Sequence, residues 1–356
     1  SLVDIMRRVN EAHATVSLPV RATAAALPER ELKDDERHQL QRQSIVNTLR
    51  HEGLASPALS IVEFGAGDAA LSREAWRAQA GGRFCVVDKN PKRTLQLERA
   101  RSYGGAPAGF MPSVVCADVC ELEPDELRGA VEPGEGANVM LCNHLCGDAL
   151  DEAVRCSVSA WHSRAPGSLA GVMAVTCCHD GCSWGSYLGK AFLVRCGLDG
   201  PAEFEQLRRW SRLAPRRNVP SAGRERVVRE ATRLGVSCDA AVQLGVRCRE
   251  LLDTGRALHL QALGFEVALV KHVDFRVTAD NVMIQAVHRP AMAAASTPTA
   301  RAVGERTEAG PCETCSSADA DGLFSPAELA AEHQMRHLSV AALGRPKPTE
   351  EVAARA

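Results

Sequence analysis

Between Ser60 and Arg289 the chain alternates short β-rich runs with longer stretches of helical periodicity, and no other feature constrains its fold as strongly. Such alternation predicts a parallel α/β sheet with helices on its faces. Strands are expected at residues 61–64, 84–88, 114–117, 138–142 and 172–177, then at 265–273 and 281–287. The last two are joined too closely for a crossover helix, so they read as an antiparallel hairpin ending a seven-stranded, mostly parallel sheet. Residues 1–52 read as a helical extension, with Leu2, Ile5, Met6 and Val9 at helical spacing and Ile45, Val46 and Leu49 following a charged stretch. The sheet-bearing domain is expected over 53–290, with an Arg-rich helical insertion at 203–260. Beyond Pro290 the composition turns to Ala, Ser, Thr, Pro and Glu, so 291–356 is expected to be a low-complexity, disordered tail.

The first expected strand runs into Glu63-Phe64-Gly65-Ala66-Gly67, a glycine turn leading into a helix. Glycine suits a place where the backbone turns tightly and a ligand comes close. Asp88 ends the second strand 21 residues past Gly67, where a carboxylate can accept both ribose hydroxyls of a nucleotide. Two readings stay open here. The G-x-G-x-x-A pattern fits a dinucleotide fingerprint, whereas the E-x-G-x-G with Asp118 closing the third strand fits an S-adenosylmethionine (SAM) site. On the second reading Glu63, Gly65, Gly67, Asp88 and Asp118 bind the cofactor, and the terminal hairpin is a topology that class I methyltransferases share.

Ligands of open α/β sheets sit beyond the carboxyl ends of the strands. The fourth strand ends in Asn143-His144-Leu145-Cys146-Gly147 and the fifth in Cys177-Cys178-His179-Asp180-Gly181-Cys182, so two neighbours deliver His and Cys to one rim. Cys146, Cys178, His179 and Cys182 have the donor chemistry of a zinc site, but their spacing matches no standard closed site and no metal is expected. Proton transfer by a rim histidine is the expected chemistry.

Four segments resemble one family when taken in order: E-F-G-A-G, N-H-L-C-G-D-A-L-D, C-C-H-D-G-C-S-W-G-S-Y-L-G and R-C-R-E-L-L-D-T-G-R. It is the eukaryotic tRNA ribose 2′-O-methyltransferases that modify the fourth nucleotide of the acceptor stem, and the resemblance covers roughly residues 58–290. It implies a Rossmann-like class I methyltransferase with SAM as donor and the tRNA acceptor stem as substrate. Asn143, His144 and His179 would then orient or deprotonate the attacking hydroxyl. The family usually carries Lys where this chain has Asn143, and a second His and an Arg where it has Asp180 and Gly181. Asn143 supplies no positive charge to a developing alkoxide. The family's N-terminal zinc-binding modules have no counterpart here.

Of 42 basic residues 36 are Arg, and from Arg208 to Arg233 nine Arg face two Glu in a chain whose net charge is −2. That local excess suits a phosphate backbone, with a solvated helix face as the alternative. Arg208, Arg209, Arg216 and Arg217, with Arg247, Arg249 and Arg256 from the R-C-R-E-L-L-D-T-G-R stretch, are the expected RNA contacts. Two tail patterns, a calcium-loop imitation from Ser317 and a Cys312-x-x-Cys315 with His333 and His337, depart from working spacings and are set aside.

The 14 cysteines are scattered through expected strands, and the chain opens without an apolar leader, so reduced thiols and an intracellular protein, cytoplasmic or nuclear, are expected. No apolar run is long enough to span a membrane, and no obligate protein partner is evident. The expected function is SAM-dependent 2′-O-methylation of tRNA. The alternatives are a SAM methyltransferase of a protein or small molecule, a catalytically impaired tRNA-binding relative, and an NAD oxidoreductase.

Overall fold

The computed structural model describes residues 1–289, apart from 17, 19, 23–30, 80, 94, 96–108, 132–135 and 216–220. The expected tail, both of its metal-like patterns, Arg216 and Arg217 therefore lie outside the described residues.

At the centre of the sheet is β2 (Ser60–Phe64), buried at every residue. It pairs in parallel with β3 (Arg83–Val87) on one side and β5 (Asn138–Asn143) on the other, with Ile61 opposite both Phe84 and Val139. Outward from β3 lies β4 (Ser113–Val115), and outward from β5 lies β6 (Leu169–Val175). The expected hairpin is β7 (Phe265–Lys271) with β8 (Val282–His288), and β8 inserts antiparallel between β6 and β7. Among the described residues the sheet has eight strands, not the seven expected: β1 (Val20–Ala22) adds a parallel edge beside β7. Three residues, Val-Arg-Ala, are too few for a period of two to register, and only the β7 edge gives them a partner. The full order is β1-β7-β8-β6-β5-β2-β3-β4.

Successive strand residues point to opposite faces, so each strand feeds two cores. On one face Val62, Phe64, Met140 and Val172 pack with Leu150, Val154 and Leu260. On the other, Ile61, Val139, Leu141 and Met173 pack with Ile45, Val46, Leu49 and Leu71. The helices, in chain order, are α1 (Leu2–Val16), α2 (Asp34–His51), α3 (Ala70–Gln79), α4 (Pro124–Ala130) and α5 (Asp148–Ser157). They continue with α6 (Lys190–Arg195), α7 (Pro201–Ser211), α8 (Ser221–Leu234) and α9 (Cys238–Ala262). The Arg-rich stretch is thus more than a solvated appendage. Its last helix, α9, buries Leu244, Cys248, Leu251, Leu252 and Leu258 and lies against β7. Among the described residues no helix is long and apolar enough to cross a membrane.

Candidate active site

The parallel strands β2, β3, β5 and β6 all end on one rim, and the order of chain crossover reverses at β2. Directly after β2, Gly65 and Gly67 adopt φ of 65° and 59°, the left-handed region that glycine enters without a Cβ penalty. A Cβ on Gly65 would lie 3.0 Å from Leu145 Cδ1, so the loop is pressed against the end of β5. The Arg93 guanidinium lies over Gly67 and places a cation at the mouth of the loop. Asp88, just past β3, accepts from the Gly67 amide at 2.8 Å with one oxygen and from the Asn90 amide at 2.8 Å with the other. Each carboxylate oxygen has a second lone pair left for a ligand hydroxyl. Asp118 is partly exposed beside Lys89 and accepts from the Cys120 amide at 3.1 Å, which with Lys89 holds its carboxyl below its ordinary value.

Glu63 points away from the loop mouth. Its buried carboxyl takes the Ser72 amide at 2.9 Å and the Ser72 hydroxyl, in the first turn of α3. It therefore fastens the helix that follows the glycine turn. Burial pushes its pKa up to about 7, with the Ser72 donors pulling the other way. A raised carboxyl contributes stability below its unfolded value and loses it as pH climbs through the folded one. Glu63→Gln keeps an acceptor without the charge. Urea melts should show the wild type losing on the order of 1–3 kcal/mol relative to this variant between pH 5 and pH 8. A difference independent of pH would contradict the assignment.

At the end of β5, Asn143 Oδ1 is buried without a hydrogen-bond partner among the described residues. His144 follows with φ of 61°, an uncommon conformation for a side-chain-bearing residue. Its Nε2 lies 2.7 Å from Gln41 Oε1 on α2, and burial holds the imidazole below its ordinary pKa. Gly147, with φ of 61°, lies backbone against backbone on Gly181, where a Cβ would strike the Gly181 carbonyl. That contact brings the two strand-end motifs together. Cys146 Sγ is 3.0 Å from Cys177 Sγ.

Beneath the rim is a buried ionic cluster. Arg256 grips Asp151 through two bonds of 3.1 and 2.8 Å, reaches Asp253 at 3.2 Å and donates to Cys182 Sγ at 2.7 Å. Asp253 also receives the Thr176 hydroxyl at 2.9 Å and His179 Nε2 at 2.9 Å. Burial opposes ionisation of Asp253, but the adjacent His179, followed by Arg256, holds its carboxyl below the ordinary range. His179 Nδ1 faces the Cys177 carbonyl at 3.0 Å. Both ring nitrogens thus face oxygen atoms of buried neighbours.

The family model "Methyltransferase TRM13" matches residues 40–287, the span from α2 through β8. The chain belongs to the TRM13 methyltransferase family. It is 27% identical over 235 residues to the tRNA:m(4)X modification enzyme TRM13 of Schizosaccharomyces pombe, covering 64% of this chain and 61% of that one. To the human tRNA:m(4)X modification enzyme TRM13 homolog it is 24% identical, covering 70% of this chain and 64% of that one. The chain spans about three fifths of the length of the curated relatives it matches. Among solved structures, it resembles magnesium protoporphyrin IX methyltransferase from Synechocystis PCC 6803 at 13% identity and a TM-score of 0.37, over 80% of this chain and 93% of that one.

In this TRM13-family chain Gly65, Gly67, Asp88 and Asp118 line one stretch of rim, and Asn143 and His144 stand beside them at the end of β5. Several expectations need correction, Glu63 as a cofactor ligand among them, since its carboxyl is taken by Ser72 of α3. His179 is not placed to act on a rim hydroxyl: it is buried, with Asp253 at one ring nitrogen and the Cys177 carbonyl at the other. Arg256 is no RNA contact, because a guanidinium 2% exposed and spent on two carboxylates cannot reach solvent. Arg249 is likewise buried, donating to the Ser211 carbonyl and Asp280, while Arg247 is half-buried on Asn10. Arg208 divides itself between Glu205 and the Asp180 carbonyl, leaving Arg209 on the same helix exposed. Sequence reasoning missed Gln41, Asp151 and Arg93. Gln41 had no signal beyond its place on a charged helix, and Asp151 stood in the N-H-L-C-G-D-A-L-D motif without a role.

Proposed function

We propose that this chain transfers a methyl group from SAM to a ribose 2′-hydroxyl in the acceptor stem of tRNA. One observation carries the reading: the family match covers the whole rim, from the helix bearing Gln41 to the strand after Asn281. The relatives' names supply tRNA as the substrate class. The antiparallel β8 between β6 and β7 also departs from the all-parallel order of dinucleotide-binding sheets, which disfavours NAD.

The rim fits the donor. Gly65 and Gly67 leave a cradle that a side chain would fill, Asp88 keeps lone pairs for ribose hydroxyls, and Asp118 offers an acceptor one strand further out. Bound there, SAM supplies a methyl group made electrophilic by its sulfonium. The chain's own work is positioning. The buried, unpartnered Asn143 Oδ1 accepts from the 2′-hydroxyl and fixes its orientation. Gln41 Oε1 accepts from His144 Nε2–H, which leaves Nδ1 as the lone pair that takes the proton. Because burial lowers the His144 pKa, the ring is neutral and competent at pH 7. The rate should hold from neutrality upward and fall as pH drops below the ordinary histidine value. A pH–rate profile of single-turnover transfer checks this, and an acid limb above pH 6.5 would count against it.

Arg209 and the exposed face of α8 offer phosphate contacts for the acceptor stem, read by shape as duplex RNA requires. A second reading, tRNA binding with impaired turnover, is favoured by Asn143 standing where the family usually has Lys. On that reading Asn143→Lys raises turnover about 10- to 100-fold by adding a cation beside the developing alkoxide, whereas on the first it lowers turnover. Incubation with radiolabelled SAM and total tRNA, then mapping of the alkali-resistant nucleotide, tests the proposal. Label at an acceptor-stem ribose supports it. Binding without label supports the impaired reading, and label only on protein or small molecules overturns both.

A further inference from the structure

The mechanism leaves three thiols on the rim without a task. Cys146 follows β5 and Cys177 and Cys178 follow β6, and their sulfurs all lie within 4.8 Å of one another. Cys146 is exposed, Cys178 half-buried and Cys177 buried, so the trio opens on one side to solvent. The donors weighed beside them in the sequence are already engaged: His179 holds Asp253, and Cys182 receives Arg256.

We propose that Cys146, Cys177 and Cys178 form a three-thiolate site for a thiophilic d10 cation, zinc(II) in the first instance, with the fourth position open to water or a ligand atom. Zinc takes thiolate sulfur at about 2.3 Å in tetrahedral array, which sets its sulfurs about 3.8 Å apart. The pair now at 3.0 Å, Cys146 and Cys177, has to open by less than about 1 Å, and Cys146 is exposed enough to move. Three thiols this close resist ionisation together. Cys146 and Cys178 push the Cys177 thiol well above its ordinary range, and burial adds to it. A divalent cation removes that obstacle by replacing the thiol protons, so its affinity must rise with pH. Arg256 and His179 line the same crevice. The bound ion would tie the ends of β5 and β6 together. Leu145, against Gly65, and His144 both lie on the segment it fastens.

The site is independent of the methyl-transfer reading, and its test needs no activity. The full chain carrying Cys312→Ser and Cys315→Ser, which removes the tail pair from the readout, is reduced, stripped with chelator and titrated anaerobically with cobalt(II). One equivalent should bring up thiolate-to-cobalt charge-transfer absorption and tetrahedral visible bands, both bleached by zinc. Cys146→Ser, a change at an exposed side chain, should weaken cobalt at least 10-fold, and Cys178→Ser should do the same. Cys182→Ala should leave the spectrum as it was. The apparent affinity should increase between pH 6 and pH 8. Absence of thiolate bands, or bands unchanged by Cys146→Ser, would overturn the site. So would a chain that comes two hydrogens lighter through a Cys146–Cys177 disulfide and takes up no metal after reduction.

Discussion

Replacing Arg256 with methionine should cost the fold about 3–5 kcal/mol, the range for stripping one partner from a buried ion cluster. The guanidinium is 2% exposed and contacts both Asp151 and Asp253, themselves 0% and 1% exposed. Methionine fills much of the volume but leaves two buried carboxylates facing one imidazole. Asp151 is the worse placed, since its remaining donor is the Leu188 amide at 3.1 Å. Combining Arg256→Met with Asp151→Leu removes the orphaned charge, and the double variant should regain a large part of the loss, a coupling that a double-mutant cycle reads directly. Urea unfolding at pH 7 makes the comparison. A loss near 1 kcal/mol for Arg256→Met, or strict additivity in the cycle, would show that the cluster does not act as a unit.

Asp88→Ala should weaken SAM at least 100-fold while leaving the sheet folded. The carboxylate acts twice. It holds the Gly67 amide and the Asn90 amide, and so sets the shape of the loop on both sides of the cradle. On the proposed function it also presents its remaining lone pairs to the ribose. Hydrogen bonds to a charged group contribute about 1.5–3 kcal/mol each, so losing two is enough for the stated effect. At a donor concentration of 100 Kd the wild type should gain about 2.7 kcal/mol, seen as a rise in melting temperature, and the variant almost nothing. Asp118→Ala removes a partly exposed group at the edge of the site and should lose far less. Equal protection of wild type and Asp88→Ala would move the donor away from this loop.

The parallel core of the sheet was legible because its strands are continuous apolar runs broken by polar and glycine turns. Leu169–Val175 is of this kind, and Ser60–Phe64 departs from it at Ser60 and Glu63. The edge strand Val20–Ala22 was not, since its identity as a strand comes wholly from its neighbour β7. The turn after β2 was legible because backbone conformation there demands glycine, a demand written into the chain at Gly65 and Gly67. The arginines were read least well. Charge counted along the chain says nothing about which way a helix turns, and on α9 Arg249 and Arg256 face inward to carboxylates that sequence distance conceals. His179 misled for the same reason: its buried partner Asp253 is 74 residues away in the chain.

The most direct test of the site is a crystal structure of the chain grown with S-adenosylhomocysteine. The expected result is the ligand over Gly65 and Gly67, with its ribose hydroxyls on Asp88 and its sulfur toward the Asn143–His144 end of β5. The same ligand bound elsewhere, or that crevice closed by Leu145 and Arg93 at saturating ligand, would contradict the assignment of this rim.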